Sequence, residues 1–276
     1  MIVNNCQICG RNQAFLRDRN SGVMMCLYCF SRTFERQFER SIKKEGKLRP
    51  VGRVLVAVSG SVSSLVLSSL LEDAEMEFPY VKLVFVHLRR WRDGTEEERV
   101  TDHIRKRLTK ELEVFPIENL LGVPNFETII RDATVSRELS CTVCKALTRR
   151  ALFRAAKRLD AQYIALGETL DEYLADKLIE LWLMGRSKSL NAVFREKTPE
   201  RIRISRPLLF ATTEDVERYS RAKGLFENGF MCPYRDQAKH SIMRSLRTME
   251  ERSPGVLSSF RQALLTYDRD NEAVER

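Results

Sequence analysis

Seven cysteines fall into three groups along this 276-residue chain: Cys6 with Cys9, Cys26 with Cys29, and Cys141 with Cys144 and a distant Cys232. The first two pairs read C-x2-C, sixteen residues, C-x2-C. That spacing lets four thiolates close tetrahedrally on one Zn2+, and a closed site of this kind is structural because it leaves no position for a reactant. The bland alternative is a set of buried, unliganded thiols. Cys141, Cys144 and Cys232 make a separate set of three, which suits a cluster metal with one open position. Between the two sets lies VLVAVSGSVSSLVLSSLL, an apolar strand, a Ser/Gly turn and a helix start. Backbone N–H groups at such a turn, added to the helix N-terminus, cradle phosphate. Ser59, Gly60, Ser61, Ser63 and Ser64 are therefore candidate binding residues. The turn is not a Walker A loop, since no Lys-Ser/Thr pair follows it.

The elements that must position these groups are readable from hydrophobic period. Residues 1–30 are loop-rich, punctuated by cysteine and too short to hold a core without a metal staple. From Phe30 to about Lys47, Phe30, Phe34, Phe38 and Ile42 recur at a spacing of four, which predicts an amphipathic helix with a basic outer face. Val54–Val58 and residues 81–87 are continuous apolar runs, as expected of strands buried on both faces of a parallel sheet. Helices are expected over 63–73, about 95–112, after Pro124, over 142–159 and over 171–185, with Gly185 as a stop. Further strands are expected near 113–117, 162–166 and 202–206, and two or three helices from Thr213 onward. Strands alternating with helices predict a doubly wound parallel α/β sheet with ligands at the carboxyl ends of its strands. The expected division is a zinc module over 1–30, a basic linker helix over 31–50, an α/β domain over 51–210 and a helical region over 211–276.

Net charge bounds the partner. Lys and Arg exceed Asp and Glu by 47 to 38, giving +9 and a pI near 9.3. The basic residues also cluster, at Lys43–Arg53, Arg89–Arg92, Arg105–Arg107 and Arg149–Arg158. Any one cluster reads equally well as a solvated helix face, but together with the global excess they favour a polyanionic partner. No apolar run reaches the roughly 20 residues of a membrane span, and the start lacks the plan of a signal peptide. Both point to the cytoplasm, where paired cysteines bind metal rather than form disulfides. His87, His103 and His240 have no metal spacing and read as structural or solvent-facing. Trp91 and Trp182 read as packing residues, although Trp91 stands among arginines where a base can stack.

Beyond these parts, the chain resembles the PP-loop ATP pyrophosphatase superfamily, whose first strand is followed by SGGxDS, and within it the tRNA 2-thiouridine synthetase group. The resemblance is carried by the N-terminal cysteine module, by Cys141-Thr-Val-Cys144 before a helix, by LGETLDEYLAD from Leu166 to Asp176, and by MCPYRDQAKHSIMRSLRTMEERSPG from Met231. It implies that Cys141, Cys144 and Cys232 hold a 4Fe–4S cluster, that Asp171 faces the nucleotide, and that ATP, Mg2+, tRNA and a sulfur source (sulfide or a ubiquitin-like thiocarboxylate carrier) take part. Departures from the family pattern matter. Where the family has the second Gly and the Asp of SGGxDS, this chain has Ser61 and Ser63, and a hydroxyl cannot replace a carboxylate beside a hard cation. Where the family writes GHNLDD, this chain writes GETLDE, so Glu168 adds negative charge where a triphosphate would sit. A Ser-Ser ending resembles the degenerate second subunit of the eukaryotic cytoplasmic tRNA 2-thiolation complex. The expectation is a subunit that works in a dimer with an intact PP-loop synthetase. The alternatives are a self-sufficient ATP-dependent tRNA 2-thiolase and a non-catalytic tRNA-binding protein.

Overall fold

The structure is a computed structural model and describes residues 5–18, 21–44, 52–75, 80–90, 94–132, 140–184, 202–225 and 237–264. Cys232, Trp91 and Gly185 lie outside these residues. The chain opens with a hairpin of β1 (Leu16–Arg17) and β2 (Met24–Met25), paired antiparallel with Leu16 opposite Met25. Helix α1 (Leu27–Lys44) follows at once. Its stripe of Phe30, Phe34, Phe38 and Ile42 is buried, as the spacing of four requires.

Among the described residues, the main sheet has five parallel strands in the order β5-β4-β3-β6-β7. These are β3 (Gly52–Ala57), β4 (Val81–Arg89), β5 (Leu112–Pro116), β6 (Tyr163–Leu166) and β7 (Arg203–Ser205). Alternate residues of the central strands enter different cores, which is why these strands read as unbroken apolar runs. Val54, Val56, Leu83, Phe85 and Ala165 join one core, and Leu55, Val86, Leu88 and Ile164 join the other. Register aligns Val56 with Phe85 on one side and Ala165 on the other.

The first core is covered by α1, α2 (Val62–Glu75), α3 (Gly94–Arg105) and α8 (Thr213–Ala222), through residues such as Leu67, Ile104 and Val216. The second is covered by α4 (Ile117–Leu121), α5 (Phe126–Asp132) and α6 (Ser140–Arg158), through Ile117, Phe126 and Ala155. A third core joins α7 (Leu170–Met184), α9 (Gln237–Arg252) and the helical stretch over 256–264, through Leu174, Leu246 and Leu257. Among the described residues, no helix is long and apolar enough to cross a membrane.

Two departures from the sequence reading have local causes. Helix α3 ends at Arg105 rather than near 112, because the chain beyond it is tied sideways: Glu72 on α2 accepts hydrogen bonds from the Thr109 backbone N–H at 3.0 Å and from its hydroxyl at 2.7 Å. Helix α4 was not anticipated. It is only five residues long and is closed by Gly122 in the left-handed conformation (φ +66°), whose N–H bonds the Glu118 carbonyl.

In this sheet the chain winds outward through β3, β4 and β5, then returns to the other side of β3 for β6 and β7. Strands β3 and β6 therefore flank the topological switch point, and the crevice beyond their carboxyl ends is where such sheets bind ligands.

Candidate functional site

The four N-terminal cysteines converge. Cys6 and Cys9 lie in a turn closed by Gly10 N–H bonding the Cys6 carbonyl at 2.8 Å, with Gly10 at φ +65°. Cys26 stands between β2 and α1, and Cys29 lies in the first turn of that helix. The hairpin brings the two pairs together, and all four sulfurs lie within 4.8 Å of one another. The Cys9 and Cys26 sulfurs are 3.9 Å apart, close to the roughly 3.8 Å edge of a tetrahedron built on Zn–S bonds of about 2.3 Å. Polar hydrogens already point at the sulfurs, from Asn12 Nδ2 at 3.6 Å and Cys29 N at 3.5 Å to Cys26 Sγ. Burial pushes the Cys6 thiol up, but the backbone N–H groups of Cys9, Cys26 and Ile8 outweigh it and bring Cys6 down to about 6. Cys29 is instead pushed up to about 12, by burial and then by the neighbouring thiols. The donor set fits a soft or borderline metal ion. Among the described residues it is the one group of three or more such ligands close enough to share an ion.

The serine loop follows β3 directly. Gly60 takes φ +82°, a conformation that favours glycine. The loop hydroxyls bond one another and the loop amides. Ser64 Oγ accepts from Ser59 N at 3.2 Å and donates to the Ser61 carbonyl at 2.9 Å. Ser61 Oγ accepts from Ser64 N at 3.3 Å and lies 3.2 Å from Ser63 Oγ. Amides of Ser59, Ser61 and Ser64 are thus engaged inside the loop, by serine hydroxyls. Val58, just before the loop, offers its carbonyl to the buried His87 ring at 2.7 Å, and the other ring nitrogen of His87 meets Glu97 at 3.2 Å. His87 is thus a structural brace at the loop entrance.

The segment after β6 is pressed against this loop. A Cβ on Gly167 would stand 2.8 Å from the Ser63 carbonyl oxygen and 2.8 Å from the Ser64 Cα, so only glycine permits the approach. Glu168 comes next, and Lys145 of α6 and Arg206 beyond β7 both ion-pair with it. Burial alone would raise its pKa, yet Lys145, Arg206 and Arg149 hold it far below the ordinary carboxylate range. The network continues from Lys145 to Asp176, which Lys239 of α9 reaches at 2.8 Å. Sequence reasoning found Glu168 but not Lys145, Arg206 or Lys239. Their signal was present only as cations beside motifs: Lys145 directly after the C-x2-C and Arg206 directly after the last strand.

Asp171 is fully buried. Its Oδ1 accepts from Thr169 Oγ1 at 2.8 Å, Thr213 N at 2.8 Å and Thr213 Oγ1 at 2.9 Å, and its Oδ2 pairs with Arg247 Nε at 3.1 Å. In this arrangement it fastens the N-termini of α7 and α8 to α9. Cys141 and Cys144 stand in the first turn of α6, half-buried, with Cys144 Sγ 4.0 Å from Thr148 Oγ1. Lys145 places this turn one residue from the Glu168 network.

Comparison with known proteins agrees with this fold. The chain is 26% identical over 257 residues to cytoplasmic tRNA 2-thiolation protein 1 of Anopheles gambiae, covering 90% of this chain and 74% of that protein. It is 27% identical over 215 residues to the tRNA-cytidine(32) 2-sulfurtransferase of Serratia proteamaculans, covering 77% and 66%. In structure it is similar to the U34-tRNA thiolase NcsA of Methanococcus maripaludis, solved with its 4Fe–4S cluster, with a TM-score of 0.76, 20% identity, and coverage of 99% and 88%. A family model described as the PP-loop domain matches residues 30–226. With its serine turn at the switch point of a parallel sheet and that match spanning most of its length, the chain belongs to the PP-loop domain family.

Proposed function

We propose that this protein acts in tRNA 2-thiolation, as a subunit whose own PP-loop is degenerate and which works beside an intact PP-loop synthetase. The observation that carries the reading is the loop itself: serine hydroxyls bonded to one another where a carboxylate would help hold magnesium, and a neighbouring Glu168 already paired. The names of the relatives and of the similar structure supply the substrate class, tRNA.

The reaction proposed for the pair has two stages. ATP activates the C2 oxygen of the target uridine as an adenylate, with pyrophosphate leaving, and sulfur then displaces AMP at C2. In this chain the N-terminus of α2 orients phosphate, Lys145 and Arg206 offset its charge, and the surface basic residues hold the tRNA backbone. Cys6, Cys9, Cys26 and Cys29 would hold Zn2+ and fix the module. Cys141, Cys144 and Cys232 would hold a 4Fe–4S cluster, which when bound supplies an open iron for sulfur. The sulfur source is sulfide or a ubiquitin-like thiocarboxylate, and the setting is the cytoplasm.

The test compares purified protein with ATP, magnesium, a sulfur source and tRNA, with and without an intact SGGxDS partner. AMP and 2-thiouridine are expected only when the partner is present. Robust product from the lone chain would establish instead a self-sufficient thiolase.

A further inference from the structure

The carboxylate of Glu168 occupies an unusual position. It follows Gly167, which is pressed against the backbone of Ser63 and Ser64, so its segment borders the serine loop. Its two oxygens are divided between two cations from different elements: Oε1 takes Lys145 of α6 and Oε2 takes Arg206 after β7. An Arg and a Lys converging at the carboxyl end of a switch-point crevice are the side chains that bind phosphate oxygens. A third cation, Arg149, acts on the same carboxylate, and its own Nε is buried without a hydrogen-bond partner among the described residues.

We propose that Glu168 is an internal competitor for polyphosphate: its carboxylate holds Lys145 and Arg206 where a phosphate group would otherwise take them, so nucleotide binds only by displacing it. This rests on the reading of the serine loop as a nucleotide site and goes beyond it by naming the residue that sets affinity there. Lys145 is shared with Asp176, and Lys239 also pairs with Asp176. Loss of the Glu168 charge therefore leaves the cations partly compensated by Asp176 and the cluster in place, with one negative charge fewer facing an incoming anion. A merely structural ion pair would behave differently, since its removal would leave anion affinity unchanged whatever it cost in stability.

The experiment titrates inorganic pyrophosphate, and separately ATP with magnesium, into wild type, Glu168→Gln, Arg206→Gln and the double variant, by calorimetry. Thermal melts are run on each. Glu168→Gln is expected to bind pyrophosphate at least about tenfold more tightly than wild type, equivalent to about 1.4 kcal/mol, and the double variant is expected to lose that gain. Equal affinity of wild type and Glu168→Gln would overturn the competitor role while leaving the nucleotide site standing. Absence of binding in both would overturn the nucleotide site as well. Should Glu168→Gln melt below the assay temperature, Arg206→Gln decides: weaker pyrophosphate binding than wild type supports the proposal, and unchanged binding overturns it.

Discussion

Single residues at this site act through the space and charge that they alone permit. Gly167 is the clearest case, because a methyl group there would meet the backbone of Ser63 and Ser64 at 2.8 Å. Backbone cannot swing aside as a long side chain can. Gly167→Ala should cost about 1–3 kcal/mol, the usual penalty of overpacking, and should part the two loops, measured as a lower urea midpoint and faster hydrogen exchange in the serine turn. Glu168 makes a pH prediction. Its folded pKa lies below the ordinary value of 4.5, so its ion pairs contribute stability that is fully present above that value. The contribution is lost as pH falls through the folded range. Acid unfolding monitored by circular dichroism should therefore show a steep limb below about pH 4.5, flattened in Glu168→Gln.

At the scale of elements, α1 is the joint between the cysteine module and the sheet. Phe34 stacks on Tyr219 at 4.5 Å and meets Phe210 edge-on at 5.0 Å, and Glu35 accepts from the Tyr219 hydroxyl at 3.1 Å. Burial and Glu35 together push the Tyr219 phenol above its ordinary range, so this contact stays in place across physiological pH. Phe34→Ala should cost about 3–5 kcal/mol, read from denaturant unfolding, and should release the module without removing its metal. Cys26→Ser should act on the metal site first. If the proposed zinc is held there, this variant should lose it by elemental analysis, since structural zinc sites contribute roughly 10 kcal/mol or more of folding free energy in isolated modules. Because Cys26, Phe34 and Val54 belong to one continuous core, its damage should spread into α1. Zinc retained at full stoichiometry would exclude Cys26 as a ligand. On the far side of the crevice, Asp171 is the corresponding joint between α7, α8 and α9, and Asp171→Asn should cost about 1.5–3 kcal/mol, the range for hydrogen bonds to a charged group.

The whole molecule carries nine more positive than negative charges. If tRNA lies across this surface, each phosphate neutralised releases condensed counterions, and affinity must fall steeply as salt rises. Filter binding between about 50 and 200 mM salt, the range over which such contacts lose several orders of magnitude in affinity, should show a linear decline of log affinity with log salt. A flat profile would remove the polyanion reading.

Much of this protein is written locally in its sequence. The central strands of a doubly wound sheet are buried on both faces, so VLVAV and VKLVFVH had to be unbroken apolar runs. The stripe of Phe30, Phe34, Phe38 and Ile42 had to repeat every fourth residue for one helix face to be covered. The cysteine pairs announce a candidate metal site through spacing alone, since two C-x2-C turns need only a hairpin to meet. None of this requires knowing which distant residues touch. What the tertiary structure decided is the state of the charges. Lys145 and Glu168 are 23 residues apart, Glu168 and Arg206 are 38 apart, and Asp171 and Arg247 are 76 apart. No periodicity links them, because an ion pair depends on where the sheet topology sets the ends of its elements. The sequence showed an added carboxylate beside the loop, and only folding, by bringing α6 and the end of β7 to the switch point, could supply the two cations that hold it.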